Sequence, residues 1–520
     1  MSPTTIETKI KSSVLPFTGA EYLSSLEDER EIWIYGKRVK SVLTHPAFGN
    51  TARMIARLYD ALHNPEKKSI LTCKTDTNSG TFTHPAFRVP KSSEDLVAAR
   101  DAIAEWARMT YGWMGRTPDY KASFLLTLGA NPDHYAPYSE NARRWYQQGQ
   151  DRVLYLNHAV VDPPVDRHLQ LAETGNDVRI TIEKETDAGL IVSGAKTVAT
   201  NAAVTHCTLI YHRIPTQENK EKLLVCILPM NAPGVKLLCR PSYQTMAQAI
   251  GSPFDYPLSS RLDENDAILV CDKTLIPWEN VLIYGETEKF TQKELRADYR
   301  FHGCIRLAVK LDFICGVLLK ALEITGSLKH YNVQVQVGEI LAWRNLFWSL
   351  TETMARAPIT LPNGTVIPNQ EAGFSYLALS PSAYTKIREI IENVVASGLI
   401  YVPSHADDFK VPEVRQYLDR YLRGSNGTDA VERVKVMKLL WDAIGTEFAG
   451  RHELYEHNYG GNHEMIRLMN FICAQEYGQA DQFKAFADQC LNEYDLDGWT
   501  APDLVNTDDF SSFMNNFGGK

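Results

Sequence analysis

The spacing of hydrophobic residues changes twice along this 520-residue chain, and the change limits the folds that it can adopt. Residues 1–150 carry apolar side chains mainly at helical spacing. Residues 151–285 consist of short β-branched runs separated by turn residues, and residues 286–520 return to long helical runs. The sequence therefore predicts an N-terminal mainly helical domain, a middle β-domain, and a C-terminal helical bundle with a polar tail.

Six short runs in the middle region are typical of strands: VRITIE, LIVSGA, HCTLIYH, LLVCILP, VKLLC and AILVCD. No long helical run separates them, as the crossovers of a parallel sheet would require. We therefore expect an antiparallel β-barrel or sandwich within an α+β fold. The C-terminal helical runs that predict the bundle are Cys304–Thr325, Gly338–Ala355, Ser382–Ala396, Ala430–Phe448 and Glu464–Tyr477.

The charge balance of the chain excludes several classes of partner. The formal net charge is −9, which disfavours nucleic acid or an anionic membrane surface as the main partner. No stretch of eighteen apolar residues exists, and the N-terminus lacks the apolar core of a signal peptide. The nine cysteines are scattered without zinc spacing, which favours free thiols in a reducing compartment. We therefore expect a cytoplasmic protein.

The most informative motif is one that the sequence lacks. GxG occurs nowhere, which excludes the dinucleotide fingerprint GxGxxG. A redox cofactor would therefore be held without a Rossmann unit. The histidines and carboxylates of residues 445–464 match neither HExxH nor the paired Glu-x-x-His of di-iron proteins, so we predict no metal site.

The segment MGRTPDYKA, residues 114–122, contains the first candidate site. Thr117-Pro118-Asp119 has the pattern of a helix start, with Arg116 before it and Tyr120 in its first turn. An arginine beside a phenol side chain can hold an anionic or phenolic ligand through charge-assisted hydrogen bonds. The same residue types also occur where an arginine bridges two elements and a tyrosine packs on the core, and the pattern alone leaves both open.

Polar residues at predicted strand ends provide further candidates. His158 ends a strand and precedes Pro163-Pro164, which impose an extended path on the chain. Thr200 follows a second strand, where its hydroxyl can reach a bound ring. The turn at 460–462 precedes a helix whose first amides can receive a phosphate. Each of these residues also has an ordinary structural interpretation.

The sequence resembles one family along essentially its whole length. The matching stretches are FTGAEYLSSLEDEREIWIYGKRVK, YGWMGRTPDYKA, YLNHAVVDPPVDRH, KETDAGLIVSGAKTVATNAA, GSPFDYPLSSRLDENDAILV, RLAVKLDF, GLIYVPS and WDAIGTEFAGRHELYE. They are similar to the oxygenase components of 4-hydroxyphenylacetate 3-monooxygenase and of the p-coumarate and tyrosine 3-hydroxylases. The resemblance implies an acyl-CoA dehydrogenase-like fold, usually in a homotetramer.

The resemblance also implies the cofactor and the chemistry. Reduced FAD would be a diffusible co-substrate, supplied by a separate NADH-dependent flavin reductase. Its reaction with dioxygen would give a flavin hydroperoxide, which hydroxylates a phenol beside its own hydroxyl group. The absence of a GxGxxG fingerprint agrees with this, because the separate reductase would bind the NADH.

The residues matching the family's phenol site are Arg116, Tyr120 and His158. We expect Arg116 to stabilise the phenolate, Tyr120 to orient the hydroxyl and His158 to accept or share its proton, since the reference pKa of histidine lies near neutrality. The residues implied at the flavin are His158, Ala159, Val160, Pro164, Val165, Asp166, Arg167, Thr200, Gly460, Gly461, Asn462 and His463. The segment HRIPTQENKEK, residues 212–222, lies where the family has a variable substrate lid.

Three other classes compete with this interpretation. An acyl-CoA dehydrogenase of the same fold would hold FAD tightly and purify as a yellow protein. A radical dehydratase would need clustered Cys and His ligands for an iron–sulfur cluster, which the dispersed cysteines do not supply. A helical scaffold protein would not bind reduced FAD.

Overall fold

The structure, a computed structural model, describes residues 14–166, 168, 178–215, 221–286, 298–458, 460–504 and 517. The chain forms two compact units, one ending at Gly460 and one beginning at Gly461. The first unit has helices on both sides of a β-rich region in the chain order. The second contains two helices and a two-stranded hairpin. The three predicted domains and the two boundaries between them stay predictions.

The helices of the described residues are α1 Gly19–Ser25, α2 Gly49–His63, α3 Lys68–Leu71, α4 Ser93–Met109, α5 Pro118–Ala130, α6 Ser139–Arg152, α7 Tyr243–Ile250, α8 Tyr299–Thr325, α9 Tyr331–Arg356, α10 Gln370–Val395, α11 Pro412–Tyr421, α12 Ala430–Ile444, α13 Glu447–Asn458, α14 His463–Glu476 and α15 Gln479–Leu491. The predicted C-terminal helical runs are confirmed as helices. The run Ala430–Phe448 is wrong in one respect, because Gly445 ends α12 and a new helix starts at Glu447.

The strands are β1 Glu31–Ile34, β2 Lys37–Arg38, β3 Cys73–Lys74, β4 Phe82–Thr83, β5 Leu156–Ala159, β6 Thr181–Thr186, β7 Gly189–Lys196, β8 Cys207–Pro215, β9 Glu221–Pro229, β10 Val235–Cys239, β11 Ala267–Pro277, β12 Val281–Glu286, β13 Ile359–Thr360, β14 Val366–Ile367, β15 Tyr494–Asp495 and β16 Gly498–Trp499. All six predicted strand runs are confirmed as β6 to β11. Their β-branched residues suit the pleated surface of a sheet.

Two sheets make up the β-region, and within the described residues both are open. One has the order β2-β1-β10-β11-β7-β6 and the other the order β12-β9-β8-β5. Of the two predicted forms, barrel or sandwich, a closed barrel is therefore not formed by the described residues, and the predicted mixed fold of helical and antiparallel β-regions is confirmed. The pairing is antiparallel except at two strands: β1 is parallel to β10, and β5 is parallel to β8. In each parallel pair, a long stretch of chain with other strands in it separates the two partners. Long connections permit parallel pairing.

Helix α8 lies at the centre of the helical region. Every residue from Arg300 to Leu311 is buried, and the helix packs against α4, α5, α9, α10 and α12. A helix buried around its whole circumference belongs in a core. No helix among the described residues is long and apolar enough to cross a membrane.

A buried ion cluster connects α8 to α13. Arg306 and Lys310 of α8 both contact the carboxylate of Glu456, at 2.7 Å and 3.0 Å. Burial alone would raise the pKa of Glu456, but the two cations outweigh it and lower this pKa to about 2. Removing one partner of such a cluster is costly because the remaining charges stay buried.

The Glu456 carboxylate generates a first prediction. Glu456→Gln should lower the free energy of unfolding by about 3–5 kcal/mol, since two buried cations lose their counter-charge. The urea denaturation curves of the wild type and the variant measure the change. The exposed Arg415–Asp419 pair on α11 supplies the control, because Asp419→Asn should cost less than about 1 kcal/mol. An equally small loss in Glu456→Gln would contradict the assignment.

The same carboxylate predicts a pH dependence. Its pKa is about 2 in the folded protein and 4.5 as the ordinary value. A lowered folded pKa adds stability that is present above the ordinary value and is lost as the pH falls through the folded value. The stability difference between the wild type and Glu456→Gln should therefore be largest between pH 4.5 and the pKa of Lys310, which burial lowers to about 7, and should shrink as the pH falls below 4.5 towards 2. A difference that stays constant into acid would argue against an ionised Glu456.

Candidate active site

The start of α5 places the first two predicted site residues. Thr117 has extended backbone angles at the N-cap, Pro118 is the first helical residue, and Asp119 lies in the first turn. The predicted helix start is thus confirmed. Proline suits this position because its missing N–H needs no partner there. Arg116 and Tyr120 are both buried on either side of this start.

The backbone before α5 is anchored by residues distant in the sequence. The amides of Gly115 and Arg116 donate to the carboxylate of Glu264, at 2.9 Å and 2.6 Å. The Tyr155 hydroxyl donates to the carbonyl oxygen of Arg116 and accepts from the side-chain amide of Asn201 at 2.7 Å. Both the backbone N–H and the backbone carbonyl oxygen of Arg116 are therefore hydrogen-bonded.

The guanidinium of Arg116 lies between two aromatic rings. Its Nη1 donates to the Tyr455 hydroxyl at 2.8 Å, and its Cζ lies 4.3 Å from the centre of the Tyr120 ring. Stacking on a ring suits arginine because its planar cation is weakly hydrated. Gly115 packs directly on Tyr455, and a Cβ atom at this position would overlap the tyrosine ring. The arginine is therefore fixed in orientation without losing its charge.

His158 approaches the same ring from the β-region. It lies on β5, and its ring centre is 5.8 Å from that of Tyr120. Its Nδ1 is buried and has no hydrogen-bond partner within the described residues. Burial, followed by the positive charges of Lys121 and Arg116, lowers the pKa of His158 well below its usual value. The imidazole is therefore neutral at neutral pH.

A second histidine also contacts the Tyr120 ring. The His302 ring meets the Tyr120 ring edge-on with centres 5.4 Å apart. Its Nε2 lies 3.4 Å from a carboxylate oxygen of Asp119 and 3.2 Å from the hydroxyl oxygen of Thr117. The sequence gives no indication of His302, because it lies in the first turn of α8 with no local motif around it.

A network of acids and arginines adjoins the loop that anchors Arg116. Asp266 is hydrogen-bonded by Arg240, Arg451 and the hydroxyl of Thr200, at distances of 2.6–3.1 Å. Burial alone would raise the pKa of Asp266, but Arg451 and Arg240 hold it far below its usual value. Burial raises the pKa of Glu264 although the charges of Arg451 and Arg116 lower it. The Thr200 hydroxyl is thus held by the ionised carboxylate of Asp266.

The residues predicted at the flavin occupy different environments. Ala159 and Thr200 are buried, and the Val160 carbonyl accepts a hydrogen bond from Lys196. In the following loop, Pro164, Val165 and Asp166 are exposed. Arg167 lies outside the described residues, as does part of the predicted lid (216–220).

The predicted phosphate-binding turn is divided between the two units. Gly460 ends the first unit, and Gly461, Asn462 and His463 begin the second. Asn462 caps α14, because its side chain accepts from the amides of Glu464 and Met465 at 2.8 Å and 3.1 Å. The side chain of this chain's own asparagine thus satisfies amides that the sequence suggested for a phosphate.

The structure brings together Arg116, Tyr120 and His158 as expected, and it adds residues that the sequence did not indicate. These additions are Lys121, Tyr155, Glu264, His302 and Tyr455. Only Lys121 had a local signal, since a lysine next to Tyr120 in a helix start is visible in the sequence. The others contact the site across long sequence separations, such as the 339 residues between Arg116 and Tyr455.

Comparison with known proteins identifies relatives over almost the whole chain. Two family models match, the 4-hydroxyphenylacetate 3-hydroxylase N-terminal model over residues 18–283 and its C-terminal counterpart over residues 288–488. The oxygenase component of 4-nitrophenol 2-monooxygenase from a Rhodococcus species is 54% identical over 96% of both chains. The oxygenase component of 4-hydroxyphenylacetate 3-monooxygenase from Escherichia coli is also 54% identical, over 96% of this chain and 97% of the relative.

The fold agrees with a solved structure. A crystal structure of the oxygenase component of 4-hydroxyphenylacetate 3-monooxygenase, complexed with FAD and 4-hydroxyphenylacetate, superposes with a TM-score of 0.83. The two sequences are 29% identical, and the match covers 91% of this chain and 99% of the other. Both the family models and the full-length relatives therefore support one conclusion: this chain belongs to the 4-hydroxyphenylacetate 3-hydroxylase family.

Proposed function

We propose that this chain is the oxygenase component of a two-component flavin monooxygenase. It hydroxylates a 4-substituted phenol ortho to the existing hydroxyl, giving a catechol, with reduced FAD and dioxygen as co-substrates. The observation that carries this proposal is the cluster of Arg116, Tyr120 and His158 in a member of this family. These three residues suit a phenol as the substrate. An acyl-CoA dehydrogenase would instead need a site for a thioester.

The residues around β5 fit a flavin ring. The buried Nδ1 of His158, which lacks a partner within the described residues, can hydrogen-bond to a polar edge of the ring. The Thr200 hydroxyl donates to Asp266 and keeps lone pairs available as an acceptor. We propose flavin contacts at His158–Val160, at Pro164–Arg167 and at Thr200. Gly460–His463 complete the proposed set.

The chemistry of oxygen transfer sets the task of the protein side chains. Bound reduced FAD activates dioxygen and supplies an electrophilic oxygen atom. The phenol ring attacks this oxygen more readily as its hydroxyl loses a proton. Arg116 stabilises the resulting phenolate charge, because its guanidinium is a permanent cation in a buried position. The Tyr455 and Tyr120 rings hold that cation in place before the substrate arrives.

His158 and Tyr120 orient the phenol. The pKa of His158 is lowered well below its usual value by burial and by Lys121 and Arg116, so the imidazole meets the phenol as a neutral group. A neutral imidazole can donate or accept one hydrogen bond but is a poor final holder of a proton in this environment. We therefore propose that His158 shares the phenolic proton rather than keeping it, and that Tyr120 fixes the direction of the hydroxyl.

The substrate is a phenol with a substituent opposite the hydroxyl. The names of the relatives, 4-nitrophenol 2-monooxygenase and 4-hydroxyphenylacetate 3-monooxygenase, share this pattern. We propose 4-hydroxyphenylacetate, or a p-coumarate or tyrosine type of phenol, as the substrate. Arg116 recognises the hydroxyl end in this arrangement.

The partners follow from the division into components. We propose a separate NADH-dependent flavin reductase that supplies reduced FAD by diffusion, a homotetrameric oxygenase and a cytoplasmic location. The relatives are oxygenase components, which supports the existence of a second protein that reduces the flavin.

The product assay tests the function directly. The purified chain, given chemically reduced FAD, air and 4-hydroxyphenylacetate, should form the corresponding catechol without any reductase. Chromatography of the quenched reaction separates the catechol from unreacted phenol, and a peroxide assay quantifies uncoupled turnover. Hydrogen peroxide as the sole product with each of the proposed phenols would refute the proposal.

Variants of the phenol site test the assigned roles. Arg116→Ala should reduce the rate of catechol formation by about 10²–10³-fold, because a buried charge aimed at the phenolate is removed. His158→Ala should reduce it by about tenfold, as expected for one hydrogen bond. Arg420→Ala, at an exposed position on α11, is the control and should match the wild type. Wild-type rates and coupling in both site variants would show that the roles are wrong, even if a catechol forms.

A further inference from the structure

Four lysines of the described residues are buried, and three of them have an obvious counter-charge. Each of the three contacts a carboxylate: Lys196 with Asp162 at 2.7 Å, Lys310 with Glu456 at 3.0 Å, and Lys438 with Asp255. This pattern is the usual one, because a buried ammonium group without a partner is costly. The fourth lysine, Lys121, departs from it.

Lys121 has no carboxylate within ion-pair distance among the described residues. It lies in the first turn of α5 and is only 8% exposed. Its Nζ is 4.7 Å from the centre of the Tyr120 ring, and the other cation near that ring is Arg116. The ring face offers some compensation for a cation, but less than a carboxylate does. The described residues therefore place two positive groups around one phenol ring and provide no carboxylate within ion-pair distance of Lys121.

Lys121 and His158 adjoin the same aromatic ring. The Nζ of Lys121 lies 4.7 Å from the centre of the Tyr120 ring, and the centre of the His158 ring lies 5.8 Å from it. The positive charge of Lys121 also disfavours a charged His158. The proposed function puts the hydroxyl end of the substrate beside this ring.

We propose that Lys121 accepts the proton of the substrate's phenolic hydroxyl and remains beside the oxygen as the counter-ion of the phenolate. The inference rests on the proposed function, since it assigns a residue to that reaction. It gives the reaction an acid–base group distinct from His158. It also identifies the missing counter-charge of Lys121 as the substrate itself.

The proton transfer is balanced without any further reactant. The O–H bond of the phenol breaks, its electron pair stays on oxygen, and the lone pair of the neutral lysine amine forms a new N–H bond. A neutral pair becomes an ion pair, and no electrons are lost or gained. The catechol recovers the proton as it leaves, which returns Lys121 to its starting state.

The charge state of Lys121 suits this role. Burial, together with the charge of Arg116, lowers the pKa of Lys121 to about 7. A substantial fraction of the amine is therefore neutral near pH 7 and able to accept a proton. The groups around the same ring among the described residues are Arg116 and Tyr120 at the start of α5, His158 on β5 and His302 on α8. None of them is an anion.

An optical titration tests the inference without turnover. 4-Nitrophenol becomes strongly coloured on ionisation, so its absorbance reports the pKa of the bound phenol. The titration is made on the protein with reduced FAD under anaerobic conditions, where no oxygen transfer occurs. The wild type should lower the pKa of the bound phenol by about 1–3 units relative to the free phenol, because cations stabilise the phenolate.

Two variants of Lys121 separate its charge from its ability to accept a proton. Lys121→Met removes the cation and should raise the pKa of bound 4-nitrophenol by more than about 1 unit relative to the wild type. Lys121→Arg keeps a permanent cation and should preserve most of the lowered pKa. With 4-hydroxyphenylacetate, however, Lys121→Arg should slow catechol formation about a hundredfold, since arginine cannot accept the proton. Lys184→Met, at an exposed position on β6, is the control and should match the wild type in both assays.

The outcomes distinguish this inference from the proposed function. If bound 4-nitrophenol has the same lowered pKa in the wild type and Lys121→Met, Lys121 is not the counter-ion. If Lys121→Arg hydroxylates 4-hydroxyphenylacetate at the wild-type rate, Lys121 is not the proton acceptor. If no phenol binds to the wild type, the proposed function is overturned and the inference with it. Folding is checked independently, since removal of a buried unpaired charge should leave the thermal midpoint of Lys121→Met at or above that of the wild type.

Discussion

The loop that precedes β11 is the constraint on which the arrangement of the site depends. It contains three acids, and each occupies a different structural position. Asp263 accepts from Arg240 and caps the start of α7, Glu264 receives the amides before α5, and Asp266 binds Arg451 of α13. Buried carboxylates need such partners, so the loop cannot shift without leaving charges unpaired. One short segment thereby sets the positions of α5, α7 and α13 around Arg116, Tyr120 and His158.

The sequence predicts the local parts of this arrangement well and the distant parts poorly. Thr117-Pro118-Asp119 indicates the start of α5 because capping and proline preferences act within one turn. The strands are indicated by their composition and turns. Glu264, by contrast, lies 149 residues from Gly115, and the polar segment around it has the composition of an exposed turn. Its burial follows from partners that no local pattern specifies.

Charge states were harder to predict than positions. The usual pKa of histidine suggested His158 as the proton acceptor, but the pKa of a buried imidazole depends on its neighbours. Burial, Lys121 and Arg116 together lower the pKa of His158 well below its usual value. Lys121 adjoins Tyr120 in the sequence, yet only the fold shows that it is buried with no carboxylate near it among the described residues. Arg116, Tyr120 and His158 were selected by resemblance and lie close together, while the electrostatics around them required the structure.

The contact between Gly115 and Tyr455 limits how this enzyme can be redesigned. Any side chain at position 115 would displace the tyrosine hydroxyl that orients Arg116. Laboratory evolution towards bulkier phenols should therefore leave this glycine unchanged and accumulate its substitutions elsewhere.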